Sequence, residues 1–121
     1  MFNFLKRSKR VKACILSAQE FNTEIITGKK NAVITFSAPW CGACKMQKPL
    51  INDVADAHHD KDIIIGFIDT DNETEVSQLF QIQGIPTTIG FKDGEIAFRH
   101  SGLLSRRNLE QLISELTKTS E

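Results

Sequence analysis

Two cysteines separated by two residues, Cys41 and Cys44, are the side chains of this sequence best placed to do chemistry. They lie within Ser37-Ala38-Pro39-Trp40-Cys41-Gly42-Ala43-Cys44-Lys45. Upstream, Asn31 to Phe36 is apolar and β-branched and reads as a buried strand. Downstream, Lys45 to Asp60 carries Met46, Leu50, Ile51, Val54 and Ala57 at helical spacing. The pair therefore sits where a strand hands over to the first turn of a helix. Unpaired N–H groups and the positive end of the helix dipole favour an anion there, which predicts a lowered pKa for Cys41 and makes it the nucleophile. Residues three apart on a helix have Cβ atoms about 5–6 Å apart, against about 3.5–4.5 Å in a disulfide. A small adjustment of the turn closes that gap. The chemistry is thiol–disulfide exchange: Cys41 attacks a disulfide, a mixed disulfide forms, and Cys44 attacks Cys41 to release the reduced target.

The elements that must position this pair follow in order. Val11 to Leu16 reads as a first strand, and Ser17-Ala18-Gln19-Glu20 has the capping-box pattern that opens a helix. Phe21 and Ile25 give that helix an inward face, and Gly28 with Lys29 and Lys30 ends it. Pro49 falls inside the second helix. Asp62 to Thr70 contains a strand apolar on both faces, the signature of a sheet centre covered by helices. Asn72 is the expected cap of a helix reaching Phe80, with Val76, Leu79 and Phe80 inward. Pro86 to Lys92 and Glu95 to Ser101 form a hairpin across Asp93-Gly94. Ser105 caps a last helix striped by Leu109, Leu112, Ile113 and Leu116. The order βαβαβαββα predicts an α/β fold, with residues 11–121 forming one domain around a central mixed sheet flanked by helices on both faces. Residues 1–10 form a basic leader ahead of it.

With 121 residues, 40% of them apolar and 25% charged, one domain can bury a core without metal or disulfide staples. The formal net charge is zero, and nothing global points to nucleic acid. Lys6, Arg7, Lys9, Arg10 and Lys12 crowd the start, which leaves ten basic against fifteen acidic residues in the rest. A basic arm with Phe2, Phe4 and Leu5 suits either an anionic surface or, more simply, a solvated terminus. No apolar run approaches the roughly 18 residues of a membrane span. Lys12 interrupts the run an export signal needs, so a cytoplasmic protein is expected.

Three cysteines, an odd number, do not describe a secreted disulfide framework. Cys14, left alone on a predicted strand, reads as a small buried hydrophobe rather than a regulatory thiol. A zinc site built from Cys44 with His58 or His59 fails on geometry. Fourteen residues of helix separate Cys44 from His58 by about 21 Å. Adjacent histidines also point about 100° apart.

The ordered set Trp40-Cys41-Gly42-Ala43-Cys44-Lys45, Pro49, Gly84-Ile85-Pro86-Thr87-Thr88, Lys92-Asp93-Gly94-Glu95 and Gly102 resembles the thioredoxin family over residues 11–117. The resemblance implies the thioredoxin fold and reduction of target protein disulfides by a monomer. Electrons would come from a flavoprotein thioredoxin reductase, with no bound cofactor beyond the dithiol. It also implies a cis bond before Pro86, with that proline against the disulfide, where the residues alone favour trans. Ile85 would pair its backbone with the bound peptide. Trp40, Gly42, Ala43, Gly84 and Gly102 would border the same groove.

Two departures from the family matter. Ala43 stands where proline is usual and restores an N–H. Were that N–H to reach the Cys41 thiolate, a bond of about 1.5–3 kcal/mol would raise the potential by roughly 30–60 mV above the family's usual value near −270 mV. Thr35 stands where a buried aspartate is usual, and Phe67 where lysine is common. Threonine is no base near neutral pH, so alternation along the strand nominates Asp69 as a substitute acting through water. Alternatives to a reductase are a more oxidising isomerase or oxidase, and a non-catalytic binding module.

Overall fold

The computed structural model describes residues 10–118. The leader assigned to residues 1–10 lies, apart from Arg10, outside the described residues. Five strands form one sheet: β1 (Cys14–Ile15), β2 (Ala32–Ser37), β3 (Ile64–Asp69), β4 (Thr87–Lys92) and β5 (Glu95–Ser101). Their spatial order is β1-β3-β2-β4-β5. β1 and β2 both run parallel to β3, whereas β4 is antiparallel to both β2 and β5. The helices are α1 (Ala18–Phe21, continued by a π-helical stretch Asn22–Thr27), α2 (Gly42–Ala57), α3 (Thr74–Leu79) and α4 (Arg106–Thr117). The element order is the one the sequence predicts. No helix among the described residues is long and apolar enough to cross a membrane.

Side chains of β2 alternate between two cores, which is why the strand reads as continuously apolar. Val33 points with Phe67 toward Ile51 and Val54 of α2 and Leu109 and Ile113 of α4. Ile34 and Phe36 point the other way, toward Phe21, Ile25, Ile89 and Phe91. There Phe21, Phe80 and Phe91 meet edge to face with ring centroids 5.3–5.7 Å apart, each pair adding about 0.5–1.5 kcal/mol beyond area burial. The parallel half of the sheet, β1-β3-β2, has β2 leading into the active-site loop. The hairpin β4-β5 carries the opposing loop.

Local codes act where the sequence places them. Ser17 and Glu20 cap each other reciprocally, and the Ser105 hydroxyl accepts the Asn108 N–H at 3.1 Å. All four stripe residues of α4 are buried. Asp93 (φ 55°) and Gly94 (φ 82°) are both left-handed, the requirement of a tight two-residue hairpin.

Other expectations are corrected. The first strand shrinks from Val11–Leu16 to two residues at the sheet edge, in register with Gly66 and Phe67 of β3, and the Leu16 N–H adds one more bond to the Phe67 carbonyl at 2.9 Å. Cys14 is therefore exposed rather than a core residue, although its sulfur leans over Gly66, where an added Cβ would come within 2.8 Å of it. Partial desolvation raises the Cys14 pKa above its ordinary value. Gly28 is not left-handed; Lys29 is, at φ 58°. The α3 cap is Glu73 without a side-chain bond, while Asn72 donates to Asp69 Oδ2 at 3.4 Å. Leu79 is exposed because α3 turns Val76, Ser77 and Phe80 toward the core, which leaves Leu79 on its outer face. Met46 and Ala57 are exposed as well, since α2 buries Cys44, Gln47, Ile51, Val54 and Ala55 instead.

Candidate active site

The second helix begins earlier than its apolar spacing suggests. Gly42 is its first residue and Cys41 its N-cap, in extended backbone (φ −87°, ψ 116°). The Cys41 sulfur takes the place a serine or aspartate oxygen usually fills, accepting the Cys44 N–H at 3.1 Å. The two cysteines are joined in a disulfide with their Cα atoms 5.2 Å apart. Both are buried.

The donor to the sulfur is thus the amide of Cys44. Among the described hydrogen bonds none runs from the Ala43 N–H to Cys41, so the premise for a raised potential through Ala43 is not met. From an N-cap, a side chain can take the second or the third helical N–H. Here it takes the third, that of Cys44.

Across the disulfide lies the loop before β4. The Ile85–Pro86 bond is cis, as the resemblance implies, and Pro86 is buried. The Ile85 carbonyl oxygen stands 3.6 Å from Cys41 Sγ. Gly102, left-handed at φ 96°, donates its N–H to the Pro86 carbonyl at 2.7 Å and so ties the start of the last loop to the proline. Nothing lies within 4 Å of where a Cβ would stand on Gly84, Gly42 or Gly102. The surface beside Cys41 is therefore open. Trp40 is 68% exposed, with its indole N–H donated to Asp71 Oδ2 at 2.8 Å. Cys41, Ile85, Pro86 and Gly102 are brought together directly, and Trp40, Gly42 and Gly84 border them.

His58 and His59 lie elsewhere. His58 Nε2 meets Glu110 Oε1 at 2.5 Å, and His59 Nδ1 meets the Asp56 carbonyl at 2.8 Å.

Gln47 escaped the sequence reading. It is 2% exposed, accepts the Leu104 N–H at 2.7 Å and donates to the Leu104 carbonyl at 3.1 Å. It thereby fixes the loop that carries Gly102 to the helix that carries Cys44. Its spacing of three from Cys44 and four from Ile51 was the available signal.

Behind the disulfide, on the side away from Pro86, a cavity of about 330 Å³ opens beside Cys44. Ile15 and Phe67 give it apolar walls, and Lys45, Lys48 and Asp69 give it charge. Thr35 is buried and bonded hydroxyl to hydroxyl with Thr88 at 2.9 Å.

The family model described as Thioredoxin matches residues 12–115. The chain belongs to the thioredoxin family. It is 33% identical over 90 residues to a thioredoxin of Mycoplasmoides gallisepticum, covering 74% of this chain and 88% of that protein. It is 32% identical over 96 residues to a thioredoxin of Mycobacterium tuberculosis, covering 79% and 82%. Thioredoxin Y1, chloroplastic, of Arabidopsis thaliana is 31% identical over 110 residues; the match covers 91% of this chain and spans 63% of that relative's length. Among solved structures, a point-mutant thioredoxin from Halobacterium salinarum superposes with a TM-score of 0.77 at 25% identity, covering 91% of this chain and 95% of that one. A chain from a structure concerning the thiol-resolving mechanism of yeast mitochondrial 1-Cys peroxiredoxin via glutathione/thioredoxin systems gives 0.74 at 27% identity, covering 86% and 95%.

This thioredoxin-family chain is a dithiol–disulfide oxidoreductase, and the Cys41–Cys44 disulfide is its redox group.

Proposed function

We propose that the protein reduces disulfides in target proteins, with Cys41 as the attacking thiolate and Cys44 as the resolving thiol. The observation that carries this reading is the Cys41 sulfur at the head of α2, holding the Cys44 N–H at 3.1 Å. In the reduced protein the same amide and the helix dipole stabilise a Cys41 thiolate. A target disulfide approaches over Gly42 and Ala43. Its backbone lies along Ile85, against Pro86, with Gly84, Gly102 and Trp40 bordering the groove. The open space above Gly84 and Gly102 supports that placement.

Attack by Cys41 breaks the target S–S bond and expels one target thiolate, which takes a proton from solvent. Cys44 then gives up its proton and attacks Cys41. The Cys41–Cys44 bond forms, the second target thiolate leaves, and two electrons have passed to the target. A flavoprotein thioredoxin reductase returns them to the protein, which acts as a monomer in the cytoplasm. The name of the Arabidopsis relative places that protein in the chloroplast, so cell fractionation is the test of compartment.

Insulin reduction coupled to a thioredoxin reductase tests the chemistry. Cys41→Ser should abolish it, and Cys44→Ser should accumulate a mixed disulfide on Cys41 visible by mass spectrometry. Persistence of turnover in Cys41→Ser would overturn the reading.

A further inference from the structure

We infer that Asp69 accepts the proton of Cys44 through water held in the cavity the two residues share. The inference rests on Cys44 being the resolving thiol. To attack Cys41, Cys44 must lose a proton, and an ordinary thiol has a pKa of about 8.5. Cys44 is 5% exposed, so bulk solvent has little access to its sulfur. Its opening is the cavity of about 330 Å³ beside it. A water needs only about 10–15 Å³ of probe space and a few polar partners, and this cavity offers several.

Few groups around that cavity are able to take a proton. Of its lining residues, β1 and β2 contribute no titratable side chain, α2 contributes Lys45 and Lys48 beside Cys44, and β3 contributes Asp69. Protonated lysines donate only, and Ser37 is not a base near neutral pH. Thr35 is engaged with Thr88 and does not line the cavity. Asp69 is two residues beyond Phe67 on β3 and shares its face. Its carboxylate is held in place, with Oδ1 accepting the Asp71 N–H at 2.8 Å and Oδ2 the Asn72 amide at 3.4 Å. Each oxygen keeps lone-pair capacity for a water.

The step balances. The Cys44 proton passes to a water, which gives its own proton to Asp69. The Cys44 electron pair forms the bond to Cys41, and the Cys41–target bond breaks, leaving a target thiolate that solvent protonates. Asp69 returns its proton to solvent. Lys45 and Lys48 favour the developing negative sulfur but take nothing.

The test is a two-phase release experiment with a substoichiometric aromatic disulfide reagent, in a Cys14→Ala background. The first coloured thiolate reports attack by Cys41, and the second reports resolution by Cys44. Asp69→Asn keeps the Oδ1 acceptor and the shape but takes no proton. It should leave the first phase unchanged and slow the second at least tenfold at pH 7, in keeping with the usual worth of a general base. The deficit should close as pH rises and Cys44 ionises unaided, and Asp69→Glu should recover part of the rate. The parent protein offers a second measurement that needs no change at Asp69: its second phase should hold nearly level between pH 6 and 8. A tenfold fall per pH unit there, a second phase in Asp69→Asn within twofold of the parent, or a loss equal at every pH would overturn the role of Asp69. Absence of the first phase would instead overturn the oxidoreductase reading itself.

Discussion

Gln47 grips both backbone groups of Leu104, taking its N–H at 2.7 Å and giving to its carbonyl at 3.1 Å across 57 residues of sequence. Both residues are buried, so neither backbone group has water to fall back on. The pair couples the helix behind Cys44 to the loop leading from Gly102 into α4. A side-chain amide thus makes the paired bonds that a neighbouring strand would otherwise supply.

Gln47→Leu keeps the volume but orphans an N–H and a carbonyl. The expected loss is about 2–4 kcal/mol, read as a lower urea midpoint at unchanged m-value. Because Gly102 N–H holds the Pro86 carbonyl, the loosened loop should also raise KM for a peptide disulfide more than it lowers kcat.

Thr35 and Thr88 face each other across β2 and β4 with their hydroxyls 2.9 Å apart. Thr35→Val leaves the Thr88 hydroxyl unpaired inside the sheet, at about 1–3 kcal/mol. Thr35→Val/Thr88→Val removes both partners and should cost less than the sum of the single changes, by about 0.5–3 kcal/mol in a double-mutant cycle of chemical denaturation. Insulin reduction should stay within twofold in each variant, since neither hydroxyl takes part in proton transfer. A strong loss of turnover in Thr35→Val would give Thr35 a chemical role.

Ala43 is where the family usually has proline, yet the sulfur's donor is the next amide along. Ala43→Pro removes an N–H that does not reach Cys41 and leaves the Cys44 N–H in place. The reduction potential should therefore move by less than about 15 mV, half of what 1.4 kcal/mol would give for two electrons. Equilibration with glutathione measures it, and a drop of 30 mV or more would return the role to Ala43.

Features written in short stretches of sequence were legible from it. Ser17 with Glu20, Ser105 ahead of α4, and Asp93-Gly94 between two strands each state their conformation within four residues, and the folded chain obeys them. The cysteine pair was legible for the same reason. Where partners lie far apart in sequence, the pattern misleads. Met46 looked inward on apolar character, but the face of α2 is set by Cys44 at one end and by a loop that needs Gln47. Cys14 looked buried because a strand flanked by apolar residues normally is, and only the sheet order reveals that β1 is an edge. The cis bond at Pro86 was available only from likeness to relatives, because Ile85-Pro86 alone carries no signal for it.

Cys14 supplies a pH signature independent of the active site. Its pKa is raised above its ordinary value, chiefly by burial of the sulfur, which outweighs an opposing backbone hydrogen bond, with a smaller push upward from the nearby Glu20 carboxylate. The folded state therefore binds this proton more tightly than the unfolded chain. The stability it contributes is complete below the unfolded thiol's pKa and is lost as pH rises through the folded value. Urea midpoints should fall as pH climbs past about 9, and Cys14→Ala should flatten that fall. In the oxidised protein, where Cys41 and Cys44 are joined, Cys14 is the only thiol in the chain, so iodoacetamide uptake reports it alone. At pH 8 it should alkylate more slowly than a small free thiol. Uptake at the free rate, together with an unchanged slope in Cys14→Ala, would place that sulfur in open solvent rather than against the Gly66 backbone.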